Sequence, residues 1–174
     1  VSHDCPAEMK KQIEQMWAAK LGLTKFDPDL FRQLMVLMIK SKVDYTLFFR
    51  ELSHIPEHIS ALQKSFYSKT SQELDEQWQT WLKTWRKLVT SSQDLTALAK
   101  KMKQTNPKYT WREWLVVPAY QQAAKWDYSL VKELQQVLLN PYEEQSKEVE
   151  DKFYRLRPRE YFNSGGVSHY SCSS

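Results

Sequence analysis

The thiol of Cys172 is the side chain most open to chemistry in this sequence. Its neighbours Ser171, Ser173 and Ser174 are small and polar and bury nothing, so the spacing predicts an exposed thiol. Fully extended, the tip from Gly165 onward reaches roughly 30 Å at about 3.3 Å per residue, enough for that thiol to search a wide surface for a disulfide partner. The carboxylate of the last residue disfavours the thiolate, so any activation has to come from the surface on which the tip docks. The competing reading is a frayed end with an idle cysteine. Cys5 leads a helix and has no assigned task.

Other constellations read as structure. His54 and His58 stand four apart, a spacing that on a continuous helix lets two imidazoles share a metal, but Pro56 lies between them and no nearby cysteine completes a set. A surface or capping role is expected for both. Glu143, Glu144, Glu148, Glu150 and Asp151 read as a solvated charged face rather than an acid/base dyad, because nothing apolar surrounds them to shift a pKa. Trp78, Trp81, Lys83, Trp85, Arg86 and Lys87 interleave rings and bases as a single-strand stacking platform would. The three tryptophans, however, share the helix face that must be buried, so no nucleic-acid partner is expected. A serine nucleophile needs a histidine held on a rigid turn, and none is apparent. No catalytic, cofactor-binding or metal-ligating residue is therefore expected in this chain.

These residues need helices to place them. At 174 residues, with 41% hydrophobic and 26% charged content, the chain suits a globular domain or part of a larger one. Its three glycines, Gly22, Gly165 and Gly166, are too few for a β-rich fold or a phosphate-cradling loop. The expected fold is all-α, an irregular multi-helix bundle. A net charge of +4 suits an acidic partner without demanding one. Two cysteines make no disulfide framework, which favours a reducing compartment. No apolar run approaches the roughly 20 residues that span a bilayer, so no membrane partner is expected.

Cap and stop signals set out the helices. Asp4 and Pro6 open one with a buried stripe of Met9, Ile13, Met16, Trp17 and Leu21, and Gly22 ends it. Asp27 and Pro28 open a second to about Lys40, apolar nearly all round and so expected to be central. Asp44 caps a third carrying Leu47, Phe48 and Leu52, and Pro56 offers another start. Ser71 to Thr90 forms a strongly amphipathic helix, and Asp94 to Lys103 a short one. The stretch Thr105–Gln145 organises the rest. Asn106-Pro107 stops what precedes it, and Thr110 with Glu113 makes a capping box. A face of Trp111, Trp114, Leu115, Ala119, Ala123 and Ala124 follows, kinked at Pro118. Asp127 and Ser129 restart a helix bearing Leu130, Leu134, Val137 and Leu138, and Asn140-Pro141 ends that hairpin. The division expected is a helical domain over 1–139 and an extended arm over 140–174, docked through Phe153, Tyr154, Tyr161 and Phe162, with a mobile tip holding Cys172.

Several of these stretches carry a resemblance: KLGL (Lys20 to Leu23), DYTLFFRELS (Asp44 to Ser53), NPKYTWREWL (Asn106 to Leu115, with Arg112 in the arginine position), the Asp127 turn, NPYEEQ (Asn140 to Gln145) and SCSS (Ser171 to Ser174). Together they resemble the carboxyl-terminal part of the selenoprotein O family, the kinase-like protein adenylyltransferases. Phe66 to Leu98 matches only loosely, and Trp126 stands where the family usually has glycine. The resemblance implies a parent that binds ATP in an inverted orientation with magnesium or manganese and transfers AMP to Ser, Thr or Tyr hydroxyls of proteins. That machinery would lie upstream, with 1–139 spanning the end of the kinase-like lobe and its helical extension. The implied partners are the upstream kinase-like domain and the parent's protein substrates.

Some animal members carry selenocysteine at the position of Cys172. In bacterial members the matching cysteine resembles half of a redox pair whose other half lies in the kinase-like domain. The resemblance thus makes Cys172 a candidate redox latch. It implies a cytoplasmic location for a bacterial protein and a mitochondrial one for a eukaryotic protein. The alternative is a free-standing helical interaction module whose mildly basic face holds an acidic partner. A contiguous apolar patch, expected around Phe31, Leu37 and Phe48, would distinguish a piece of a larger protein from such a module.

Overall fold

Four helices begin where the sequence places a cap. Asp27, Asp44, Ser71 and Asp94 each accept, through a side-chain oxygen, the amide N–H three residues on, at 3.0 to 3.2 Å, so a donor the helix cannot satisfy internally is met locally. The computed structural model describes residues 5–91 and 93–162. In order come α1 (Cys5–Lys20), α2 (Pro28–Ser41), α3 (Tyr45–Leu52), a 3₁₀ turn (Ile59–Ser65), α4 (Gln72–Thr90), α5 (Leu95–Thr105), α6 (Glu113–Ala123), α7 (Ser129–Leu138), α8 (Lys147–Phe153) and a last 3₁₀ turn (Arg159–Tyr161). Among the described residues there is no strand, only one bridge between Val43 and Phe66. The fold is all-α.

Two apolar clusters result. The larger gathers side chains from α2, α3, α4 and α5 around Phe48, Trp78, Trp81 and Trp85, with Leu21 from the turn after α1. Each of the three indole N–H groups is satisfied inside it: Trp78 donates to Ser41 Oγ (2.7 Å), Trp81 to the Leu30 carbonyl (3.0 Å) and Trp85 to the Leu21 carbonyl (2.7 Å). The tryptophans are thus core residues that pin α4 to α2 and to the end of α1, and they offer no stacking face. The smaller cluster joins Leu47 of α3 to Tyr109, Trp114, Leu134, Val137, Phe153 and Tyr154.

Four expectations are corrected. First, α1 buries little: Met9, Ile13 and Met16 are 57%, 48% and 46% exposed, because only the end of the helix reaches the core, through Trp17, Ala18 and Leu21. Second, the central helix is α3 rather than α2. Residues 46–50 and Leu52 are all buried, whereas Val36 and Ile39 of α2 face outward. Third, Thr110 caps nothing, since α6 starts at Glu113 after an extended Arg112. The amides of Lys108 and Tyr109 are both held by the Pro141 carbonyl (2.8 and 3.1 Å), which keeps this stretch against the end of the hairpin and delays the helix. Trp111 is accordingly exposed. Fourth, the stretch read as an extended arm contains α8, capped by Ser146; its docking through Phe153 and Tyr154 is as expected.

The α6–α7 hairpin forms as the Asp127 turn predicts, and α6 runs through Pro118. At its tip Trp126 adopts φ 66°. Its amide bonds to Ala123 O and that of Asp127 to Gln122 O, both at 3.0 Å. This pair of bonds closes a helix around a left-handed residue, the place glycine favours. The turn is therefore the one glycine would make, with a tryptophan in it.

Candidate functional site at the junction of the two cores

The motif residues meet where the two clusters touch. Asp44, fully buried at the head of α3, accepts at Oδ1 from the Leu47 amide and at Oδ2 from both the Tyr67 hydroxyl (3.1 Å) and the Arg112 guanidinium. Arg112 also donates to the Arg155 carbonyl (3.1 Å) and lies over the Trp114 ring. One guanidinium thereby ties α3, the start of α6 and the chain after α8. Burial, and then the Asp44 charge, pushes the Tyr67 hydroxyl up to about 12, so it stays a donor to Asp44.

A second node is centred on Glu144. Buried Arg50 donates through Nη1 to the carbonyls of Lys103 (3.0 Å) and Asn106 (3.1 Å), and through Nη2 to Glu144 Oε1 (3.1 Å). Lys108, also buried, donates to Glu144 Oε2 and lies 3.7 Å from Glu150. Burial opposes ionisation of Glu144, but the hydrogen bonds and charges of Lys108 and Arg50 outweigh it and hold the carboxyl down at about 2. The solvated face expected of these glutamates holds for Glu144, whose side chain is 54% exposed, but the expectation that nothing there shifts a pKa is corrected for it. The basic side chains that bind them come from 36 to 94 residues away for Glu144, and no local pattern shows them.

Asn106 links three segments. Its side-chain amide donates to the Lys20 carbonyl (2.9 Å) and to Ser53 Oγ (3.1 Å), its own N–H closes α5, and its carbonyl accepts from Arg50. The Tyr154 hydroxyl donates to Glu51 (2.8 Å). Burial, and then the Glu51 charge, raises that hydroxyl's pKa far above the tyrosine range.

At these nodes Arg50, Lys108 and Arg112 are each matched by a carboxylate or a main-chain carbonyl, an arrangement that positions helices rather than moves protons. Both His54 and His58 are exposed; for His54 partial desolvation, then the Lys103 charge, lowers the pKa. Among the described residues no three His, Cys, Asp or Glu side chains gather as a metal site. Cys172, the candidate redox residue, lies outside the described residues. Signals for the junction did exist in the sequence: Asp44 precedes an apolar run, and Arg112 sits among aromatics in TWREWL.

Fold and junction together define an all-helical unit whose two clusters are joined by ion pairs, of which Asp44–Arg112 is buried at both ends. The model of the family described as protein adenylyltransferase SelO matches residues 6–139, and the chain belongs to that family. Curated relatives named protein nucleotidyltransferase YdiU include one from Flavobacterium johnsoniae, 33% identical over 174 residues and covering 92% of this chain and 33% of the relative. Another, from Aromatoleum aromaticum, is 33% identical over 172 residues, covering 94% and 32%. A third, from Xanthomonas axonopodis pv. citri, is 34% identical over 165 residues, covering 90% and 32%. The chain spans about a third of the length of the curated relatives it matches.

Proposed function

We propose that this chain is the helical carboxyl-terminal region of a protein adenylyltransferase, a scaffold on which an upstream kinase-like domain rests. The parent transfers AMP from ATP to Ser, Thr or Tyr hydroxyls of proteins. ATP and magnesium or manganese are held by residues outside this chain. The family match supports the reaction class, and the observation that carries the scaffold reading is the exposed face of α1. Met9, Ile13 and Met16 recur at i, i+4 and i+7, a stripe that helices normally cover. The patch expected of a piece from a larger protein is thus present, but on α1; Phe48 and Leu37, where it was expected, are buried.

Cys172 acts in this reading as a redox latch toward the upstream domain. The location is cytoplasmic in a bacterium or mitochondrial in a eukaryote; among the described residues no helix is long and apolar enough to cross a membrane. Intact mass after incubation with ATP and magnesium tests the reading, comparing this chain with the longer polypeptide. AMP-sized additions on the longer form alone support it, and their absence from both under reducing and oxidising conditions removes it. Ile13→Asp tests the scaffold role: stability of this chain should change by less than about 0.5 kcal/mol, as at exposed positions generally. Activity of the longer form should fall.

A further inference from the structure

Helices α2 and α4 leave between them an open groove of about 610 Å³. Val36 and Leu37 of α2 and Trp81 of α4 give it an apolar floor. Val36 is nearly half exposed, and Ile39, one turn along α2, is 79% exposed. The walls are fixed: Trp78 is bonded to Ser41 at the carboxyl end of α2 and Trp81 to Leu30 at its amino end. The groove is therefore formed before anything enters it, which removes an ordering cost from binding.

Its lining carries two carboxylates against one guanidinium, a net negative charge. Glu73 and Glu76, one turn apart on α4, form one lip. Arg32 on the other lip is paired with Asp29 at 3.0 Å, so the two glutamates set the net charge of the groove. That acidic lip is a local inversion on a chain whose net charge is +4. The lining residues recur at helical spacing on both walls, the open seam into which a third helix fits.

We propose that the α2–α4 groove is a docking site for a basic amphipathic helix of a partner protein. Apolar side chains at i, i+3 or i+4, and i+7 of that helix seat on Val36, Leu37 and Trp81. Its lysines or arginines face Glu73 and Glu76. This site is independent of the AMP-transfer reading and stands or falls without it.

The test uses the full chain and two labelled synthetic helices of about 14 residues, long enough for a stable helix only when docked. One is built from leucine and lysine, the other from leucine and glutamate, and binding is read by fluorescence polarisation at physiological salt. The leucine–lysine helix should bind about tenfold more tightly, the double variant Glu73→Lys/Glu76→Lys should reverse that preference, and Val36→Asp should weaken both. Met16→Lys on α1 should leave the lysine helix bound as before. Circular dichroism and Tm of the variants check that they fold. Equal binding of the two probes, a preference untouched by charge reversal, or binding indifferent to Val36→Asp overturns the proposal. So does self-association of the chain that Val36→Asp abolishes, since a second copy would then occupy the groove.

Discussion

The cluster around Trp78, Trp81 and Trp85 and the cluster around Tyr109, Trp114 and Phe153 are joined to their surroundings by different forces. In the first, large apolar side chains from four helices interlock, and their few polar atoms find partners within the cluster. The second is smaller and is fastened to the first through Asp44–Arg112, Arg50–Glu144 and Lys108–Glu144. Truncation in an apolar interior costs the lost burial plus the cavity left behind. Breaking an ion pair buried on both sides, as Asp44–Arg112 is, costs by leaving the other partner charged and dry.

Truncating the first cluster should give the largest effect. Trp78→Ala removes a fully buried indole and should cost about 3–5 kcal/mol in urea unfolding, with both clusters lost in one transition. Arg112→Ala should cost about 3 kcal/mol by leaving Asp44 buried without its cation. Its signature differs: hydrogen exchange should quicken across α6, α7 and α8 while α2 and α4 stay protected. Uniform acceleration would show that the two clusters unfold as one, and the distinction between them would go.

Acid should sharpen the contrast. The folded pKa of Glu144, about 2, lies below its ordinary 4.5, so its contribution is full above 4.5 and is lost as pH falls from there through about 2. The side chain is 54% exposed, which limits this contribution to about 1 kcal/mol or less. Glu144→Gln should flatten that part of the pH–stability curve, read from urea midpoints, and leave the Trp78 environment unaltered. The smallest change should be a gain: Trp126→Gly relieves a left-handed tryptophan and should stabilise the hairpin by about 1 kcal/mol. A loss on thermal unfolding would mean that the indole is held by contacts worth more than its backbone cost.

Local signals were legible where local forces decide. Asp27, Asp44, Ser71 and Asp94 cap because the amide they satisfy is three residues away. The spacing of Trp78, Trp81 and Trp85 correctly marked a buried face. Periodicity on α1 marked a face needing cover but could not say whether this chain supplies it. Thr110 carried a valid capping signal that the Pro141 carbonyl overrode from the far end of the hairpin. The junction was hidden for the same reason. Asp44 and Arg112 are 68 residues apart, and only the fold shows that a charge among aromatics meets a charge before an apolar run.

Asp44 also fixes a direction that drift cannot reverse. Its carboxylate serves at once as cap for α3, acceptor for Tyr67 and counter-ion for Arg112. Exchanging the two charges would keep the attraction between positions 44 and 112, yet an arginine at 44 accepts nothing from the Leu47 amide and adds positive charge to the positive end of a helix. No two-step path of substitutions swaps the pair without passing through, and ending in, a weaker α3. Change at position 112 is therefore open only to residues that can still answer an anion at position 44.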